Sequence, residues 1–169
     1  MIKRDSFWKA WFIIFTLFFS LSSVTAKKKT QLIKSDKTVI EVPEDWKVTY
    51  KNNKLFLYSI YSTDYAVMTD LVKEELKKKM TFDEFFNYSV KNIKKSLPSY
   101  KLIEKKDNYQ IFSTKTMGVE VINLQAYFLR EKTAYILALS ASKKDFKSNK
   151  EQMLKVVRSF KFTDKKGEK

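Results

Sequence analysis

The chain has 169 residues and a formal net charge of +15, with 44% hydrophobic and 15% aromatic residues. That apolar content excludes a disordered polybasic tail, and the presence of only two Gly and two Pro excludes low-complexity and Gly-rich phosphate-loop proteins. Zero His and zero Cys exclude disulfides, thiolate and imidazole metal sites, lipid attachment at Cys, and triads or general bases that depend on His.

Met1–Lys9 is basic through Lys3, Arg4 and Lys9. It runs into the apolar stretch Ala10–Leu21 and then into Ser-Ser-Val-Thr-Ala, with small Val24 and Ala26 at the −3 and −1 spacing of a signal-peptidase site. Basic start, short apolar run and small-x-small ending are the parts of a secretory leader. The apolar stretch is shorter than the roughly 20 residues a membrane-spanning helix needs. Cleavage is therefore expected between Ala26 and Lys27, giving an exported chain, periplasmic or secreted. Such a chain folds on its hydrophobic core alone, because it has no Cys for the disulfides that export permits.

Residues 27–37 are Lys-rich without an apolar period and are expected to form a loose lead-in. A single domain is expected over 38–163, and a charged tail over 164–169. Thr38–Val42 is β-branched and reads as a strand that Pro43 stops, since proline offers no N–H to a ladder. Trp46, Val48 and Tyr50 alternate with polar residues, the pattern of a strand with one buried face. Lys51–Lys54 carries two Asn and reads as a turn. Leu55–Tyr61 is apolar on both faces and is expected at the centre of a sheet. Tyr65–Val72 follows as a further strand, and Lys73–Lys79 as a loop or helix start.

Thr81-Phe82-Asp83-Glu84 has the spacing of a capping box. Phe82, Phe85, Phe86, Val90, Ile93 and Leu97 then recur at three- and four-residue intervals up to Pro98, which marks an amphipathic helix. Tyr100–Lys105 and Tyr109–Lys115 read as short strands. Val119–Arg130 and Thr133–Ala141 read as a long hairpin around Glu131-Lys132. Ser148 and Glu151 repeat the capping-box spacing, so a second helix is expected over Asn149–Arg158, followed by a last strand at Ser159–Thr163. Strands and two helices in this order predict an α+β domain with the helices on a mainly antiparallel sheet.

Four segments in this order resemble the PsbP-like and DcrB-like families of exported proteins. They are Thr38–Val48, where a strand runs into Pro-x-x-Trp, the capped helix Thr81–Leu97, the hairpin Gln125–Ala141, and Val156–Phe162. The resemblance implies an α/β/α sandwich around a central antiparallel sheet. It also implies a non-catalytic extracytoplasmic accessory or binding module; in photosynthetic organisms such relatives support the oxygen-evolving side of photosystem II. No ligand, metal or cofactor residue of those families is matched in this chain, and none is expected.

The candidate sites each have a structural alternative. Among the basic residues after Ala26, only Arg130 and Arg158 are arginine. Lysine is a hydrated point charge without the fork of arginine, so the charge suits an anionic lipid or polysaccharide surface or a plainly solvated exterior. Specific nucleic-acid recognition is not expected. The densest runs, Lys27–Lys29, Lys77, Lys78 and Lys79, and Lys143 and Lys144, are the expected contacts of such a surface. Glu44-Asp45, Glu74-Glu75 and Asp83-Glu84 are adjacent carboxylates, but strand neighbours point to opposite faces and an acidic pair suits a helix start. Ser142-Lys143 and Ser96 beside Lys95 have the residue types of a Ser–Lys nucleophile. Tyr58, Tyr61, Tyr65, Tyr127 and Tyr135 are candidates for a groove or for the core, and Trp46 for a core plug. The expected function is docking of an unknown protein partner in the envelope, with a lysine-driven adaptor for anionic surfaces as the alternative.

Overall fold

The computed structural model describes residues 29–35, 37–49, 56–62, 66–116 and 118–163. The expected leader, its expected Ala26–Lys27 junction, the expected Lys51–Lys54 turn, Tyr50, Tyr65 and residues 164–169 lie outside the described residues, as do the side chains of Tyr58 and Tyr61.

Among the described residues, ten strands and two helices follow in the order β1 (Thr30–Ser35), β2 (Thr38–Pro43), β3 (Lys47–Thr49), β4 (Phe56–Tyr61), β5 (Met68–Glu75), α1 (Phe82–Ser96), β6 (Lys101–Lys105), β7 (Tyr109–Thr116), β8 (Val119–Arg130), β9 (Thr133–Ser142), α2 (Lys143–Ser159) and β10 (Lys161–Phe162). They form a seven-stranded sheet in the order β3-β4-β5-β9-β8-β7-β6 and a three-stranded sheet in the order β1-β2-β10. Every pairing is antiparallel.

Alternation along the long strands assigns the two faces of the large sheet. Leu124 and Leu139 are opposite one another and point to one face, as do Ala126 and Leu137. There they meet Met153, Leu154, Val156 and Val157 of α2, together with Ile33, Ile40 and Val42 of the small sheet. The intervening residues Tyr127, Ala134 and Ile136 point the other way and meet Phe85 and Phe86 of α1. The result is an α+β sandwich of three layers, with α1 on one side and α2 plus the small sheet on the other. Trp46 is buried in the α2-side core, as its expected role of plug requires.

Helix α1 starts where its capping box directs. The Glu84 N–H donates to Thr81 Oγ1, and the Thr81 N–H donates to Glu84 Oε2 at 2.8 Å. That backbone donor, then the Thr81 hydroxyl and Lys78, hold the Glu84 carboxyl below its ordinary range. The β8–β9 hairpin turns at Glu131-Lys132, with Glu131 in the left-handed region at φ 55°.

Four expectations need correction. The lead-in assigned to 27–37 contains β1, paired along its whole length with β2. Its buried Ile33 supplies a core contact, and Gln31 Nε2 donates to the carbonyls of Pro43, Glu44 and Trp46. Strand β5 runs on through Glu75, because β9 supplies partners as far as Thr133. Strand β4 lies second from one edge, and β9 holds the centre. Helix α2 begins at Lys143, six residues before the expected start, capped by Ser142 accepting from the Asp145 N–H. Ser142-x-x-Asp145 has the same spacing as Ser148-x-x-Glu151, and the earlier one wins. Ser148 lies inside the helix and donates to the Asp145 carbonyl.

Candidate functional site

The two internal lysine runs are set apart by the fold. Lys77, Lys78 and Lys79 follow β5, whose last residue Glu75 lies opposite Thr133 at the start of β9. Lys143 and Lys144 open α2 directly after Ser142, at the other end of β9. A strand of that length spans about 30 Å. Lys78 is paired with Glu84 at 3.6 Å and Lys143 with Glu120 at 2.9 Å. The structure thus brings the two runs into no common patch. Lys29 is exposed, and Lys27 lies outside the described residues.

Six of the residues weighed for catalysis are engaged elsewhere. Ser142 caps α2, with its hydroxyl on Asp145, while the Lys143 ammonium is turned to Glu120. Glu74 accepts from the Tyr88 hydroxyl and Glu75 from Thr133. Glu84 belongs to the cap of α1, and Asp83 faces Lys105 at 3.7 Å. Among the described residues no three acidic side chains gather as a metal site.

Tyr127 and Tyr135 are both buried, so they belong to the core. Beneath α1, the Tyr127 ring makes edge contacts with Phe82, Phe85 and Phe86. Its hydroxyl accepts from Ser89 Oγ and Gln110 Nε2 and donates to Gln125 Oε1 at 2.8 Å. Gln110 accepts in turn from the Tyr100 hydroxyl at 2.9 Å. Burial pushes the Tyr127 phenol far above its ordinary range, with the hydrogen bonds from Ser89 and Gln110 opposing it in part. The network is neutral and its members are mutually satisfied. Such a network fixes the orientation of a helix on a sheet.

The surface that stands out is strand β6. It is the outermost strand of the large sheet, with β7 on one side and no further strand beside it among the described residues. Leu102 is 51% and Ile103 57% exposed, beside exposed Lys101, Lys105 and Lys106. Leu102 pairs with Phe112 and Glu104 with Ile111, so Ile103 is the extra residue of a bulge. The following residues are fastened on both faces of the sheet. Glu104 accepts from Lys150 of α2 at 3.0 Å and from Tyr109 at 3.2 Å, while Lys105 reaches Asp83 and lies 4.1 Å from the centre of the Phe86 ring. The Lys150 hydrogen bond holds the Glu104 carboxyl below its ordinary range, and burial followed by Glu104 pushes the Tyr109 phenol up. The edge is therefore held in place while two aliphatic side chains face outward.

Sequence reasoning assigned this strand but no role for it. The available signal was Leu102-Ile103 set among lysines. Adjacent strand residues point to opposite faces, and both are buried only if both faces and both flanks are covered. At a sheet edge they are not.

The three-layer sandwich is the PsbP-like fold. The chain is similar in structure to the cyanobacterial PsbP protein CyanoP from Synechocystis, with a TM-score of 0.55 and 10% identity over 85% of this chain and 98% of that one. It is also similar to LpqN, involved in cell envelope biogenesis of Mycobacterium tuberculosis, with a TM-score of 0.57 and 11% identity over 82% of this chain and 93% of that one. A protein from Bacteroides thetaiotaomicron matches with a TM-score of 0.54 and 14% identity, over 85% of this chain and 51% of its own length. No family profile matches the sequence, and no curated protein matches it. Among the described residues no helix is long and apolar enough to cross a membrane.

Proposed function

We propose that the chain is a non-catalytic extracytoplasmic accessory module that docks a protein partner in the cell envelope. The observation that carries this reading is the fixed, aliphatic edge of β6 on a surface otherwise rich in lysine. Large aliphatic side chains exposed side by side are the material of an interface core, and a lysine rim around them is the material of its periphery. The leader of the sequence and the PsbP-like fold agree with work outside the cytoplasm. The separation of Lys77–Lys79 from Lys143–Lys144 weighs against a single lysine-driven contact with an anionic surface.

Two measurements test the reading. Intact-mass analysis of exported material is expected to give a chain that begins at Lys27; a full-length product confined to the inner membrane contradicts it. Affinity capture on the exported protein is expected to retain one protein partner at high salt and to lose it with Ile103→Lys. Exposed charges are screened beyond about 10 Å at 0.1 M salt, whereas an apolar contact is not. Recovery of lipid or polysaccharide alone, and only at low salt, gives the answer to the lysine-driven alternative.

A further inference from the structure

We propose that β6 receives an extended, acidic segment of the partner, which adds to the large sheet as its next strand. The inference rests on the docking reading above and specifies the chemistry of the occupant. An outermost strand presents a row of backbone donors and acceptors that a second chain can pair with, and side-chain pockets then supply specificity. In β6 that row is held by Glu104 with Lys150 and by Lys105 with Asp83, so little ordering remains to be done on binding. Leu102 and Ile103 offer apolar contact to the apolar residues of the incoming strand.

Charge selects the occupant. Lys101 and Lys106 are exposed along the strand and its exit, Lys94 and Lys95 occupy the last turn of α1 nearby, and Glu104 and Lys105 are already engaged with Lys150 and Asp83. Like charges directly opposite one another across a strand pair are destabilising. A second copy pairing edge to edge would set these lysines against each other, whereas glutamate or aspartate in the incoming strand would meet them favourably. The bulge at Ile103 interrupts regular pairing, so the added strand is short and the edge resists open-ended growth.

The probe is a short soluble peptide that alternates valine with glutamate, and its control alternates valine with lysine. Backbone amide exchange of the exported protein is the readout. The glutamate peptide is expected to slow exchange over Lys101–Lys105 by about tenfold and to leave the opposite edge strand β3 unchanged, and the lysine peptide is expected to have no effect. Leu102→Lys and Ile103→Lys are expected to weaken binding of the glutamate peptide about tenfold without changing the melting temperature, and Ile103→Leu to retain it. No protection of β6, equal protection by both peptides, protection by anionic vesicles instead, or self-association through β6 in sedimentation overturns the proposal. If the peptide fails while a partner still crosslinks at high salt from another face, strand addition is wrong and the docking module survives.

Discussion

The two faces of the central sheet solve the same burial problem with different physics. Toward α2 the sheet presents Leu71, Ile111, Leu124, Leu137 and Leu139, all almost wholly buried, and the packing is apolar, with an aromatic cluster of Phe128, Tyr135, Phe160 and Phe162 beside the aliphatic residues. Toward α1 one cross-strand row reads Asp70, Ala138, Gln125 and Gln110, and the next includes Ser140 and Asn123. There a cluster of aromatic rings is combined with hydrogen bonds of fixed direction. Aliphatic packing tolerates exchange of one residue for another of similar volume, whereas a satisfied polar network does not tolerate loss of one member. The α2 side buries the larger apolar cluster, and the polar network on the α1 side fixes where α1 sits.

The largest expected effect comes from the aliphatic face. Leu137→Ala, in the middle of β9 and fully buried, is expected to cost about 2–5 kcal/mol by chemical denaturation. A loss under about 1 kcal/mol would mean that this face is loosely packed and the contrast is wrong. Next is Tyr127→Phe, which keeps the ring among its phenylalanines but removes the hydroxyl shared by Ser89, Gln110 and Gln125. Leaving those buried groups short of a partner is expected to cost about 1–3 kcal/mol. A double-mutant cycle with Gln110 is expected to show coupling; strict additivity would deny the network.

The smallest effect sharpens the comparison at the edge of the α1 layer. Thr81→Ala removes the cap of α1 and is expected to cost about 1 kcal/mol at neutral pH. Because the Glu84 pKa is lowered in the folded state, its stabilising contribution is present above the ordinary carboxylate range and is lost as pH falls through the lowered value. The deficit of Thr81→Ala, followed by thermal denaturation, is therefore expected to narrow in acid. A deficit that grows on acidification would assign Glu84 the opposite role.

Local signals with a direct backbone meaning were legible. The capping box at Thr81–Glu84, the apolar period that Pro98 ends and the hairpin around Glu131-Lys132 all form as the sequence predicts. Of the four features that failed, two show the reason most plainly, because they depend on partners distant in sequence. Residues 30–35 carry little apolar pattern and become a strand because β2 and the carbonyls around Trp46 receive them. Ser142 and Ser148 offer equivalent caps by spacing, and β9 ending at Ser142 decides between them. The edge at Leu102-Ile103 was illegible for the same reason, since which strand lies outermost is a property of the assembled sheet. The lysine runs were visible in sequence, but their placement at opposite ends of β9 was not.

The small sheet ties the beginning of the described chain to its end. β10 pairs with β2, the Ser159 hydroxyl donates to the Glu41 carbonyl across 118 residues, and the Thr163 N–H donates to the Lys37 carbonyl at 2.9 Å. Contacts of such long sequence separation pay their loop-closure entropy late, and a fold that depends on them acquires its structure slowly. A chain emerging from its amino end holds β2 and the apolar flank beside it without their closing strand until the final residues are free. The hairpins β4–β5, β6–β7 and β8–β9 need no such wait. Folding of this domain is thus timed by its last strand, and a chain stopped short of Lys161 would keep its local hairpins and lose its closure.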